Sequence, residues 1–160
     1  MPAAAWRLDR SARRVPGFTF FDGSDKKLTL NRFSGSYVVV NIWATWCGPC
    51  REEMRSLDHL AEMTAGGKLK IIPISIDLSG AVRVRSFYKR LGLSRLHVYL
   101  DPSRSAMSAL AVVGIPTTLI IDPGGCEVGR VVGAAQWDAP LTLARFSELM
   151  GSASQACPVF

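Results

Sequence analysis

The chain predicts an α/β domain, a central mixed sheet flanked by helices, and three stretches carry that prediction. Tyr37-Val38-Val39-Val40-Asn41-Ile42-Trp43 is β-branched and aromatic with Asn41 as its one polar residue, the composition of a strand buried on both faces. A helical pattern follows, with Met54, Leu57, His59, Leu60, Ala61 and Met63 at roughly helical spacing, and residues 68–77 then read as a second strand. Strand, helix, strand makes a crossover between parallel neighbours. Residues 112–122, with Pro116 at the entry of a strong strand, turn through Pro123-Gly124-Gly125-Cys126 into residues 127–133, which return as an antiparallel partner.

Residues 1–15 mix alanine and arginine without an apolar face, so a mobile leader is expected. Phe18-Thr19-Phe20-Phe21 and Lys27-Leu28-Thr29-Leu30 flank Asp22-Gly23-Ser24-Asp25, the pattern of an N-terminal β-hairpin. Asn31-Arg32-Phe33-Ser34-Gly35 loops into the central strand, and Gly66-Gly67 ends the first helix. Residues 81–91 form a basic amphipathic helix with Val82, Val84, Phe87, Tyr88 and Leu91 on its packed side. Residues 96–100 are a short strand and residues 103–111 a helix capped by serine. A last helix spans residues 140–150 with Asp138 as its cap and Pro140 in the first turn. The division is a flexible leader at 1–15, one domain at 16–151 and an aperiodic tail at 152–160.

The chemistry is concentrated in Trp46-Cys47-Gly48-Pro49-Cys50. Two cysteines two residues apart, between a buried strand and a helix, form a redox unit. Pro49 suits the first helical turn. Cys47 then sits at the helix N-terminus, where unpaired N–H groups and the dipole favour thiolate over thiol. Cys50, one turn inside, is the shielded resolving partner. Trp46 is expected at the site as an apolar platform for substrate, Trp43 in the core, and Trp137 in packing.

Other readings are weaker. The chain has 160 residues, 48% of them hydrophobic, which suits one domain with a sizeable core. Its net charge of +6 does not imply nucleic acid, because the basic residues are scattered apart from Arg7, Arg10, Arg13 and Arg14, and no basic-aromatic motif accompanies them. No apolar run approaches a membrane span and no signal-peptide pattern opens the chain. Met1-Pro2-Ala3-Ala4-Ala5 nevertheless looks like an arbitrary start, so an anchor or signal removed from the natural protein is one expectation. Zinc lacks a second ligand pair, since His59 and His97 are isolated. The remaining cysteines, Cys126 and Cys157, are either a structural disulfide, with the tail brought back toward the turn at Cys126, or two unpaired thiols.

Asn41-Ile42-Trp43-Ala44-Thr45-Trp46-Cys47-Gly48-Pro49-Cys50-Arg51-Glu52-Glu53, with Gly114-Ile115-Pro116-Thr117-Thr118 and Ile121-Asp122-Pro123-Gly124-Gly125, resembles the thioredoxin superfamily. Among its branches the chain is most similar to the TlpA/ResA-like thiol–disulfide oxidoreductases, over residues 18–150. The resemblance implies a thioredoxin-like fold with an inserted helix-strand segment, and a cis Ile115–Pro116 peptide beside Cys47. It places Trp46, Gly48, Pro49, Ile115 and Thr117 at the substrate and Pro116 among the catalytic residues. Asn41 stands where thioredoxin carries its buried aspartate; Glu53 matches a carboxylate of the TlpA/ResA-like branch, which implies proton transfer for the thiols.

The implied activity is reduction of disulfides in envelope proteins by Cys47 and Cys50, with no cofactor beyond the redox-active disulfide and no metal. The Gly-Pro pair implies a potential on the order of −250 mV, near that of thioredoxin. Cytochrome c maturation or assembly of the oxidase copper site is the implied pathway. The bacterial periplasm is the implied location, with protein substrates, a membrane electron donor, a monomeric state and room for an inner-membrane anchor outside this chain. Two alternatives use the same cleft: copper delivery, although the wider cysteine spacing and matching histidine of such proteins are missing, and a binding module without turnover.

Overall fold

The computed structural model describes residues 5–151 and Cys157, and the strands among them form one mixed sheet flanked by helices. In chain order they are β1 (Ala5–Arg14), β2 (Phe20–Asp22), β3 (Lys27–Leu28), a 3-10 turn (Leu30–Phe33), β4 (Tyr37–Trp43), α1 (Gly48–Met63), β5 (Leu69–Ser75), α2 (Gly80–Leu91), β6 (Tyr99–Leu100), α3 (Ser105–Ala109), β7 (Thr117–Ile121), β8 (Cys126–Val132) and α4 (Pro140–Gly151). The sheet order is β1-β8-β7-β4-β5-β6-β2-β3.

β4, apolar except for Asn41, occupies the interior, buried at every position and with ladder partners on both sides. It pairs in parallel with β5 over Tyr37 to Trp43 and antiparallel with β7, Ile42 facing Thr117. The C-terminal end of β4 and the N-terminal end of β7 therefore share one edge of the sheet. Trp43 is fully buried and stacks on Tyr88 of α2, as expected of a core residue. The predicted N-terminal hairpin is present as β2 and β3, paired Phe20 to Leu28.

Several expectations need correction. Residues 5–14, predicted as part of a mobile leader, are β1, antiparallel to β8 at the sheet edge with a register shift between Leu8 and Arg13. The partner strand lies more than a hundred residues away, so the pairing leaves no local trace beyond Trp6 and Leu8 alternating with Arg7. Trp6 packs on Trp137 and Phe146, and Arg145 lies over its ring. Asp138 does not act as the expected cap; its oxygens take His59 Nδ1 at 2.8 Å and Gln136 Nε2 at 2.7 Å. The predicted serine-capped helix shortens to α3, with Arg104 in the left-handed region at its cap. Val82, Met63 and His59, expected on packed faces, are exposed. The first helix ends at a Thr64 cap rather than at the glycine pair, and Cys126 opens β8 rather than lying in the turn.

Cys126 and Cys157 are joined by a disulfide whose Cα atoms are 5.8 Å apart, and both residues are buried against Val128. The rest of the expected tail, residues 152–156 and 158–160, lies outside the described residues, as do residues 1–4 of the expected leader.

Replacing both Cys126 and Cys157 by serine is expected to lower stability by about 3 to 4 kcal/mol, because it frees a roughly 30-residue loop in the unfolded chain. Denaturant unfolding under non-reducing conditions measures it, and no change would show that the cross-link does not constrain the chain. By the same assay Trp6→Ala is expected to cost about 2 kcal/mol, a half-buried aromatic losing two ring partners.

Candidate active site

Where β4 ends, Ala44-Thr45-Trp46 leads to Cys47, which caps α1 with an extended backbone (φ −89°, ψ 115°). The Cys50 N–H points at Cys47 Sγ at 3.3 Å, so one of the unpaired donors of the first helical turn is spent on sulfur. Pro49 stands in that turn, where a missing N–H costs nothing. Cys47 and Cys50 are bonded to each other, their Cα atoms 5.2 Å apart.

The expected contrast between an exposed and a shielded sulfur is present but small. Cys50 is 0% exposed and Cys47 only 7%. Beside it Trp46 is 54% exposed, and at the head of the proline loop Val113 is 99% exposed.

The Ile115–Pro116 peptide is cis, as the resemblance implied. Cys47 Sγ lies 3.8 Å from the Ile115 carbonyl oxygen, which follows from β7 running antiparallel to β4. Other atoms of the loop are engaged. Thr117, expected at the substrate, is buried and donates its hydroxyl to the Gly114 carbonyl at 2.7 Å; Pro116 O accepts from Gly133 N at 2.9 Å. Arg130 on β8 donates to the carbonyls of Leu110 (2.6 Å) and Ala111 (3.1 Å), while Glu127 holds its guanidinium at 2.6 Å, so the end of α3 that feeds the loop is tied down.

Glu53 lies one turn beyond Cys50 and is 2% exposed. Its Oε1 accepts from Asn41 Nδ2 at 2.8 Å; its Oε2 accepts from Ala135 N at 3.0 Å and Trp137 Nε1 at 2.9 Å. Burial raises its pKa to about 7, against those three donors, which pull it down. A carboxylate poised there exchanges protons readily near neutrality. The sequence points Trp137 to packing and marks Asn41 as a lone polar residue without thioredoxin's acceptor, so neither is expected as a partner of this acid. The one signal for Asn41 was a polar residue in an otherwise apolar strand.

A second buried acid was also missed. Asp77, just after β5, accepts from Thr45 N (2.9 Å), Thr45 Oγ1 (2.6 Å) and Ser75 Oγ (2.6 Å), and so fixes the loop before Cys47. Among the described residues, no group of three or more His, Cys, Asp or Glu side chains is placed to hold a metal, and no helix is long and apolar enough to cross a membrane.

The AhpC/TSA family matches residues 12–126. The thiol-disulfide oxidoreductase ResA of Bacillus subtilis is 30% identical over 119 residues, which are 74% of this chain and 65% of ResA. The chain thus spans a little under two thirds of that relative. A Chlorobium tepidum protein described as a thiol:disulfide interchange protein DsbE superposes with a TM-score of 0.77 over 91% of this chain and all of its own, at 22% identity, which bears on the fold. The exposed lipoprotein thioredoxin of Streptococcus pneumoniae superposes with a TM-score of 0.67 over 81% of this chain and 98% of its own, at 25% identity.

Between its ordinary value of 4.5 and about 7, folded Glu53 keeps a proton that the unfolded chain has released, so stability falls as pH rises, by about 3 kcal/mol across the window. Unfolding of the oxidised protein at a series of pH values should show that slope, and Glu53→Gln should remove it. A slope unchanged in the variant would assign it to other groups.

Proposed function

The chain belongs to the AhpC/TSA family and has a thioredoxin-like fold, and on that premise we propose that it is a protein thiol–disulfide oxidoreductase acting as a reductase. The observation that carries the reading is the Cys47–Cys50 pair at the N-terminus of α1, 3.8 Å from the Ile115 carbonyl and one turn before a buried Glu53.

In the reduced protein the Cys47 thiolate, favoured by the helix N-terminus, attacks one sulfur of a substrate disulfide. The substrate S–S bond breaks and a mixed disulfide forms. Cys50 gives its proton to the Glu53 carboxylate, and its thiolate attacks Cys47 Sγ. The substrate leaves as a dithiol, and the protein is left with the Cys47–Cys50 bond, two electrons having passed to the substrate. A dithiol donor then reduces the pair again. Trp46, Gly48, Pro49, Ile115 and Pro116 line the approach; Thr117 shapes it from beneath by holding Gly114.

The substrates in this reading are disulfide-bonded proteins outside the cytoplasm, those of cytochrome c maturation or oxidase copper-site assembly, and the donor is membrane-bound. The Cys126–Cys157 bond supports an oxidising compartment, since such cross-links persist there and are rare in the cytosol. The bacterial periplasm, with a monomer held near the inner membrane by a segment outside this chain, completes the proposal.

Equilibration of Cys47–Cys50 against a thiol buffer, read by alkylation and mass spectrometry, should give a potential on the order of −250 mV. A value above about −150 mV would make the protein an oxidant. Failure to cycle would leave copper delivery or simple binding, of which stoichiometric Cu(I) uptake by the reduced protein marks the first. Glu53→Gln should slow resolution of the mixed disulfide by about 100-fold at neutral pH. Cys50→Ser should trap the mixed disulfide on Cys47.

A further inference from the structure

Trp137 is fully buried, its ring set against Trp6 (centroids 5.6 Å apart) and Phe146 (6.3 Å). Those contacts ask only for an aromatic ring. They do not require an N–H at the edge of the ring, yet the indole N–H is aimed at Glu53 Oε2 at 2.9 Å, beside the Ala135 N–H on the same oxygen at 3.0 Å. The backbone N–H of Trp137 meets Ser56 Oγ at 3.0 Å, and Ser56 donates to the Glu53 backbone carbonyl at 3.0 Å. The indole is therefore registered against the turn of α1 that carries the carboxylate.

The partners of that carboxylate are Asn41 from β4, itself bonded to Thr118 of β7, and Ala135 and Trp137 from the segment before α4, while Cys50 stands one turn earlier on α1. Of these only Cys50 titrates, and only when reduced. A cation in the place of Trp137 would push the acid toward its ionised form and an apolar edge toward its protonated form; neutral donors hold it between the two.

We infer that Trp137 is a positioning residue for the exchange reaction, its indole N–H orienting Glu53 Oε2 and keeping the carboxylate able to take the Cys50 proton. This rests on the reading that Glu53 is that acceptor. The step balances as before: the Cys50 S–H proton passes to Glu53, the Cys50 thiolate forms the bond to Cys47 Sγ, the Cys47–substrate bond breaks, and the departing sulfur takes a proton from solvent.

The experiment compares wild type, Trp137→Phe, Glu53→Gln and Phe20→Leu, the last a core change away from α1 that controls for loss of stability. Glu53 is titrated by carbon-13 NMR in the oxidised proteins. The reduced proteins are mixed with Ellman's reagent, whose first thiolate is released on attack by Cys47 and whose second is released on resolution by Cys50. In Trp137→Phe the Glu53 titration should move up by about one pH unit, and the second release should slow about tenfold near pH 7 and recover near pH 9. Phe20→Leu should lower the melting temperature and move neither. Incorporation of fluorotryptophan, which keeps the ring's shape and strengthens its donor, should move the Glu53 titration down, and this readout stands even where Trp137→Phe does not fold.

An unmoved Glu53 titration in folded Trp137→Phe, with the second release still slowed in Glu53→Gln, overturns the role of Trp137 alone. An equal shift in Phe20→Leu overturns it as well, since general loosening would then suffice. A second release unaffected in Glu53→Gln overturns the acceptor role of Glu53, and the role of Trp137 with it.

Discussion

A carboxylate buried beside a cysteine pair is the constraint around which this molecule is arranged. Stripping water from Glu53 is costly, and the acid is tolerable in the core only because donors meet both of its oxygens. Those donors come from the central strand β4 and from the segment before α4, so parts of the chain far apart in sequence must come together before the acid is satisfied. The edge strand β1 enters the same arrangement, because Trp6 supports the ring of Trp137. A strand at the far margin of the sheet thus packs behind the ring whose N–H meets Glu53.

The sheet supplies the second half of the arrangement. With β5 parallel and β7 antiparallel to β4, the loop after β4 and the loop before β7 open at one edge. Cys47 and Ile115 meet there although 68 residues separate them. Both loops are braced from behind by buried or half-buried charge: Asp77 holds Thr45, and Arg130, steadied by Glu127, holds the carbonyls of Leu110 and Ala111. Two large apolar side chains, Trp46 and Val113, are left uncovered at that edge.

Legibility followed the range of the interactions involved. The strand at residues 37–43, the helix beginning after Cys47, the hairpin at Phe20 to Leu28 and the loop at Ile115–Pro116 were readable because alternation, apolar runs, turn residues and the family motif are local. Elements whose only support is distant were misread. β1 looked like a leader because its partner is β8, and Asp138 looked like a helix cap because nothing nearby announces that His59 and Gln136 claim its oxygens. Val82 and Met63 fit a helical stripe, but among the described residues no neighbouring element covers them.

By itself, then, the sequence determined the chemistry on offer: two thiols in one helical turn, a proline loop, an acid three residues on, and a strand apolar enough to be central. Only the tertiary structure decided the state of those groups. Whether Glu53 is a solvated surface acid or a buried one poised near neutrality depends on water exclusion and on donors brought from residues 41, 135 and 137. Whether Cys126 and Cys157 pair depends on where the chain's end returns. Desolvation and hydrogen bonding act through space, and residues far apart in the chain become neighbours only when the sheet closes around them.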